Sequence, residues 1–184
     1  MCSATPQYDD GASAGSEYQG YLFETFNGSA WSLQKIATAG TIATTAGSTT
    51  YTGTGTSFLT TAKVGAAIIL NTDAANGVSQ ALTVRTITAV NSDTDLTVHA
   101  TYPTTTSGRA YTITASFPLA DSQTAYASMN NIVYVMGQGS GPGFSWNGTN
   151  QSWVTAMPNA WFSLVFKNYM FAARTSANPS RISW

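Results

Sequence analysis

The stretch that most constrains this chain is segment 144–153, Phe-Ser-Trp-Asn-Gly-Thr-Asn-Gln-Ser-Trp. Asn147-Gly148 is a strong hairpin signal, because a type I′ turn needs positive φ at both central residues and Asn and Gly reach it at low cost. Aromatic residues on either side suit a pleated, half-buried surface. Three further strands are predicted nearby, at 132–136, 161–166 and 169–173. With Lys167-Asn168 as a second tight turn, residues 130–173 are predicted to form an antiparallel β-meander.

A similar signature occurs near the amino terminus, where Phe26-Asn-Gly-Ser-Ala-Trp31 repeats the order aromatic residue, Asn-Gly, hydroxyl residue and Trp. Between the two copies lies a Thr-rich segment, 40–115, that contains no Trp. Without this segment, the spacing of the copies falls within the roughly 40 to 50 residues of a four-stranded propeller-type unit. We therefore predict an all-β chain with three parts. These are a flexible arm at 1–17, an antiparallel, propeller-blade-like β-meander domain at 18–39 and 116–184, and an inserted small β-barrel or sandwich at 40–115.

The inserted segment has its own strand pattern. Short apolar or alternating runs recur at 64–70, 81–90, 95–99 and 111–114. Turn residues separate them at intervals typical of small antiparallel barrels and sandwiches. In the run 81–90, Val84 and Arg85 stand on opposite parities, and one of the two parities is expected to pack inward.

Composition and charge narrow the classes of partner that the protein is expected to bind. Charged residues make up 8% of the chain, against about 25% in an ordinary soluble domain. The net charge of −1 leaves little repulsion between copies, which favours association. The seven Lys and Arg are scattered from Lys35 to Arg181, so nucleic acid is not a predicted partner. The chain shows no readable export signal and no run of 18 apolar residues, so no membrane partner is predicted either.

Candidate catalytic and ligand-binding residues are few. His99 is the only histidine and is expected on the polar face of its strand, so no acid–base relay is predicted. The pairs Asp9-Asp10 and Asp93/Asp95 lack calcium-loop spacing. The glycine-rich segment 137–143 lacks the Lys-Ser/Thr of a phosphate-binding loop and lies between strands, so it is interpreted as a hairpin loop. No enzymatic activity, metal or cofactor is predicted.

Large aromatic side chains are the remaining candidates. They are Trp146, Trp153, Trp161, Phe162 and Trp184. Each aromatic side chain of this size buries about 150–250 Å², so they are interpreted as core or subunit-interface residues. A sugar-stacking platform is the alternative interpretation. The last strand, 181–184, is expected to leave its meander incomplete unless another chain or segment pairs with it.

The inserted segment carries an ordered set of short motifs, at Thr54–Phe58, Val64–Gly65, Ile68–Leu70, Val84–Val90, Ser92–Val98 and Ser107–Ile113. Their order resembles a β-module of tailed-bacteriophage virion proteins with the pattern G-T-G-T-x-F, x-V-G-D, I-x-x, V-x-x-I-x-S-D-T-x-L-T-V and G-x-x-Y-T-I. Ala66 stands where that module usually has an acidic residue.

The meander also contains motifs, at Trp146–Gly148, Asn168–Arg174 and Pro179–Trp184. They are similar to the W-x-G, N-R-L-F-A-A-G and P-S-R-L-Y-W-S motifs of propeller-like repeats in phage tail proteins. Arg174 stands where the repeat usually has Gly.

The two resemblances imply a structural protein of the virion, at the tail or neck. The expected partners are other copies of the chain and other virion proteins, bound through strand edges and the flexible arm. The alternative function is a receptor- or glycan-binding adhesin module of a phage fibre, with carbohydrate as its partner.

Overall fold

The structure is a computed structural model. It describes the residue ranges 2–3, 20–22, 24–26, 29, 31–36, 38–70, 83–102, 104–118, 125–136, 143–157, 160–175 and 182–183. Most of the predicted arm at 1–17, the Asp9-Asp10 pair, most of the 137–143 loop and Trp184 lie outside the described residues.

Short strands dominate the described ranges. They are β1 (Cys2–Ser3), β2 (Gly20–Leu22), β3 (Glu24–Phe26), β4 (Trp31–Leu33), β5 (Thr41–Thr44), β6 (Thr50–Thr54), β7 (Ala67–Leu70), β8 (Thr83–Ser92), β9 (Asp95–Val98), β10 (Thr106–Arg109), β11 (Tyr111–Thr114), β12 (Ser116–Pro118), β13 (Tyr126–Met129), β14 (Ile132–Val135), β15 (Phe144–Trp146), β16 (Gln151–Trp153), β17 (Ala160–Phe166), β18 (Tyr169–Thr175) and β19 (Ile182–Ser183). A four-residue helix, α1, spans Phe58–Thr61. The strands pair antiparallel, which confirms the predicted all-β antiparallel class.

The chain divides into two compact units, residues 1–116 and 117–184. The hairpin that the amino-terminal Asn-Gly signature predicts is confirmed within the first unit, where Phe26 of β3 lies opposite Trp31 of β4. The grouping of 18–39 with 116–184 as one domain stays a prediction.

The first unit is built around a curled sheet with strand order β10-β5-β6-β9-β8-β7-β11. Residues directly opposite each other on paired strands share a face of the sheet. Tyr51 lies opposite Leu96, and Ile87 lies opposite Val98. All four of these side chains are buried, so the face of the curled sheet that they share forms a core.

At the start of β8, residues of both parities are buried, whereas further along Ile87 is buried and Thr88 is exposed, as expected of a strand with one inward parity. Val84 is 3% exposed and Arg85 is 1% exposed. The guanidinium of Arg85 donates to the carbonyl oxygens of Val84 and Thr101, at 3.1 and 3.0 Å. These hydrogen bonds let a cationic side chain lie in a core position, because burying a charge without polar partners is costly.

Two of the phage-like motifs meet at one end of the curled sheet. The carbonyl oxygen of Asp93 accepts hydrogen bonds from the Thr56 hydroxyl at 2.6 Å and from the Phe58 N–H at 3.2 Å. The Asp93 carboxylate accepts the Leu59 N–H at 3.1 Å. The Gly53 N–H donates to the Thr94 carbonyl at 2.8 Å. These hydrogen bonds hold the β8–β9 turn against the connection between β6 and α1. We call this set of hydrogen bonds the turn clamp.

The second unit contains a four-stranded meander in chain order, β13-β14-β15-β16. The predicted hairpin at 144–153 is confirmed, since Trp146 lies opposite Gln151. The predicted type I′ turn at Asn147-Gly148 is wrong, because only Gly148 has positive φ. The Asn147 carboxamide oxygen instead accepts the N–H groups of Thr149 and Asn150, at 3.0 and 2.8 Å. This Asx-type hydrogen bonding shapes a longer loop.

A three-stranded sheet, β17-β18-β19, completes the described part of this unit. The turn between β17 and β18 is confirmed, and Lys167 and Asn168 both have positive φ, at 48° and 64°. Ala160 and Ala172 belong to a buried cluster with Ala125 and Met136. The Ser163 hydroxyl donates to the Tyr126 carbonyl oxygen at 2.7 Å. The two sheets of the second unit are thus joined by a small apolar core and a polar contact.

Candidate functional site

Two of the predicted aromatic residues lie on the confirmed hairpin. Trp146 lies opposite Val133 and Gln151, and Trp153 lies opposite Phe144. Both tryptophans are half-buried, whereas Phe144 is 0% exposed. Because opposed residues share a face, the tryptophans extend the apolar surface of which Phe144 is the buried part. The interpretation of these side chains as core or interface residues stays a prediction.

Of the other three predicted aromatics, the structure describes the side chain of one. Phe162 lies on β17 and is 55% exposed. Trp161 also lies on β17, but its side chain is outside the described part of the structure. Trp184 is likewise outside the described residues. Phe162 therefore belongs to a different surface from Trp146 and Trp153.

That surface is an exposed apolar row on the β17–β18 hairpin. Phe162, Leu164 and Phe166 alternate along β17 and are 55%, 63% and 58% exposed. Tyr169, which lies opposite Phe166, is 58% exposed. Phe171, which lies opposite Leu164, is half-buried. We call these five residues the aromatic face.

The opposite side of the same hairpin explains why this row is exposed. Ala172, on the other parity of β18, is 3% exposed and packs in the buried cluster with Met136. Since neighbouring residues of a strand point to opposite faces, burying Ala172 turns Phe171 and its cross-strand partner Leu164 outward. The packing of Ala172 thus accounts for the outward position of Phe171 and Leu164. Ala160, which shares the parity of Leu164, is 1% exposed, so the exposed row ends at Phe162.

One charged group flanks the aromatic face. The Nζ of Lys167 lies 5.5 Å from the centroid of the Phe166 ring, a cation–π contact. Lys167 sits in the turn, beyond the end of the row. The five members of the row are uncharged. The surface can therefore bind an apolar partner.

The sequence prediction found Phe162 but missed Leu164, Phe166 and Tyr169. The sequence carried one indication of this surface, because β17 has large apolar residues on both parities. A strand with one face in water usually has polar residues on that face. A strand like β17 either has both faces covered or exposes one apolar face. The sequence alone does not say which parity is exposed.

The candidate polar residues take part in structural hydrogen bonds. His99 is exposed, and its imidazole Nδ1 accepts the Thr86 N–H at 2.9 Å. The Asp95 carboxylate accepts a hydrogen bond from the Asn91 side-chain amide. Within the described ranges, no cluster of three or more His, Cys, Asp or Glu could hold a metal ion.

Tyr111 is a buried tyrosine whose proton affinity is changed by its surroundings. The Tyr111 hydroxyl donates to the Ala39 carbonyl oxygen at 2.9 Å. Burial raises the pKa of this phenol above its ordinary value. Tyr111 also packs edge to face on Phe58, with ring centroids 5.8 Å apart. It therefore acts as a core residue of the first unit, next to the turn clamp.

Comparison of the chain with protein-family models, with curated proteins and with solved structures finds no match. Among the residues that the structure describes, no helix is both long and apolar enough to cross a membrane. The aromatic face is thus the described feature that bears most directly on function.

Proposed function

We propose that the protein is a structural component of a tailed-phage virion, at the tail or neck. It acts by assembling with copies of itself and with other virion proteins. The observation that carries this proposal is the aromatic face, a continuous row of large apolar side chains more than half exposed at Phe162, Leu164, Phe166 and Tyr169. The assignment to a phage virion rests on the sequence motifs described above.

The aromatic face favours assembly on energetic grounds. Burying apolar surface contributes about 25 cal/mol per Å², so leaving such a row in water forgoes several kcal/mol that a partner surface would recover. The largest exposed apolar patch on a typical monomer covers about 300–600 Å² and is often an interaction site. Four large side chains side by side reach that size. A binding partner is therefore the physical explanation for the row.

The arrangement of the phage-like motifs supports a scaffold role. Thr56 and Asp93, which belong to two separate motifs, hydrogen-bond each other in the turn clamp. Asp93 also accepts the Leu59 N–H. Residues that could have served as ligands or catalysts are thus used to hold the curled sheet together, as expected of a module that presents a rigid surface.

The proposal is tested on intact particles. Virions of the phage that encodes the chain are purified and digested, and peptides of this protein are quantified by mass spectrometry against the major tail protein. We expect a fixed stoichiometry of several copies per particle and specific gold labelling of the tail or neck by an antibody. Recovery of the protein only from the soluble lysate, with none in purified particles, would refute the proposal.

A further inference from the structure

We propose that the aromatic face docks on the aromatic face of a second copy of this chain, through a two-fold axis that lies in the interface and runs across the strands. The inference rests on the proposed function, because it names one of the contacts by which the protein assembles. A homotypic contact of this kind is isologous, so the same surface must complement itself.

The area of the face matches what a modest dimer needs. A large aromatic side chain offers about 150–250 Å². At 55–63% exposure, the four most exposed members leave roughly 400–500 Å² accessible per copy. Two such faces together bury about 1,000 Å², the lower limit for a specific interface. A second copy supplies a partner surface of equal area and equally apolar character.

The charges of the chain permit such a pairing. The five residues of the face are uncharged, and each copy carries a net charge of only −1. Neither long-range repulsion nor burial of an unpaired charge in the face therefore opposes the contact. Lys167 lies at the turn end of each hairpin, so its placement depends on how the two copies are oriented.

Lys167 selects the orientation of the two-fold axis. An axis along the strands would bring the two turns, and hence the two Lys167 ammonium groups, to the same end of the interface. An axis across the strands reverses one hairpin relative to the other and places the two ammonium groups at opposite ends. The second arrangement avoids the repulsion between like charges, which costs affinity.

With the two-fold axis passing through Leu164, the same orientation also places one large side chain over a small one. Paired positions on the hairpin are Phe162 with Ala173, Leu164 with Phe171, and Phe166 with Tyr169. Reversing one copy lays Tyr169 over Ala173 of the second copy and Phe162 over its Phe166, while Leu164 meets Leu164. Interdigitation of large and small residues is how packed sheets fill the space between them.

Because Leu164 meets its own counterpart, a charge-swap experiment tests the inference. Leu164→Glu and Leu164→Lys proteins are studied by sedimentation velocity, separately and as an equimolar mixture, from low to high micromolar concentration. We expect the wild-type chain to dimerise with a dissociation constant on the order of 10 μM. Each variant alone should weaken dimerisation about 100-fold, and the mixture should recover to within about 10-fold of wild type.

Matched controls separate this contact from others. Ser152 is exposed on β16, in the other sheet of the unit, so Ser152→Glu and Ser152→Lys should leave dimerisation unchanged. Leu164 is 63% exposed, and each variant should therefore unfold at the same urea concentration as the wild-type protein. If a Leu164 variant unfolds earlier, the charge swap is moved to Phe162 and Phe166. A chain with Phe162→Glu is then mixed with a chain with Phe166→Lys.

Three results would overturn the inference. The first is that the wild-type chain stays monomeric at high micromolar concentration, whether or not it binds glycans or vesicles through this face. The second is dimerisation that survives both Leu164 variants, and the third is a mixture that remains monomeric. Mass spectrometry of purified virions is independent of these results, so loss of the homotypic contact and loss of the virion assignment are distinguishable.

Discussion

The Gly53→Ala substitution tests the turn clamp in the first unit most directly. Gly53 lies in β6, and its N–H donates to the Thr94 carbonyl oxygen at 2.8 Å. A Cβ atom at this position would overlap the Thr56 hydroxyl and would lie 2.9 Å from Cε2 of Phe58. The backbone of Gly53 is not in the positive-φ region, so any loss of stability must come from this crowding.

The expected change in the free energy of unfolding is the sum of one stabilising and two destabilising contributions. Replacing a strand glycine with alanine at a compatible backbone conformation stabilises a protein by about 0.4–1 kcal/mol. Overpacking a filled site costs about 1–3 kcal/mol. Thr56 cannot rotate away without losing its 2.6 Å hydrogen bond to the Asp93 carbonyl, which costs about 1 kcal/mol more. The expected net destabilisation is about 2 kcal/mol, a fall in melting temperature of roughly 5–10 °C.

The assay is urea and thermal unfolding of the wild-type protein, Gly53→Ala, Thr56→Ala and the double variant. Thr56→Ala removes the main obstacle, so we expect a coupling free energy of about 1–2 kcal/mol between the two sites. Gly143→Ala is the control, because its Cβ would meet Met157 at an ordinary 3.4 Å. Crowding at the turn clamp is refuted if Gly53→Ala is as stable as wild type, or if its cost is the same with and without Thr56.

Two further predictions concern Tyr111 and the β17–β18 turn. The folded-state pKa of Tyr111 is raised, so its protonated form stabilises the fold below about pH 10, and this contribution is lost as pH rises from there toward the folded-state pKa. Unfolding titrations from neutral to alkaline pH should show a shallower loss of stability for Tyr111→Phe, and equal slopes would contradict the assignment. Asn168 has positive φ, which a β-branched residue adopts only at a cost, so Asn168→Val should destabilise the second unit by about 1–2 kcal/mol. Asn168→Gly serves as its control, and urea unfolding that fails to separate the two variants would exclude backbone strain at this turn.

The hairpins were predictable because their signals are local. Asn-Gly flanked by aromatic residues predicted hairpins at 26–31 and 144–153, and both occur, with Phe26 opposite Trp31 and Trp146 opposite Gln151. The type of turn was less predictable. Asn147 was expected at positive φ, but its side chain captures two backbone N–H groups, and a longer loop results. An Asn residue suits both a turn position with positive φ and a loop in which its side chain accepts backbone N–H groups. The length of the connection between the strands decides between these two conformations.

The candidate surface could be predicted only in part. Phe162 stood out as a large aromatic residue in a predicted strand, yet Leu164 and Phe166 looked like ordinary members of an apolar run. Their exposure depends on Ala172, which packs in the buried cluster on the other side of the hairpin. No local pattern encodes that contact, because the residues that make it are distant along the chain.

The amino-acid sequence by itself determined the all-β class, the confirmed strands and hairpins, and the low charge that favours association. These properties depend on side-chain alternation, backbone preferences and composition, which act over a few residues. The tertiary structure alone decided that the turn clamp joins Thr56 to Asp93 and that the apolar row on β17 faces outward. Both depend on long-range packing, where the burial of one face of a strand determines what its other face presents to solvent.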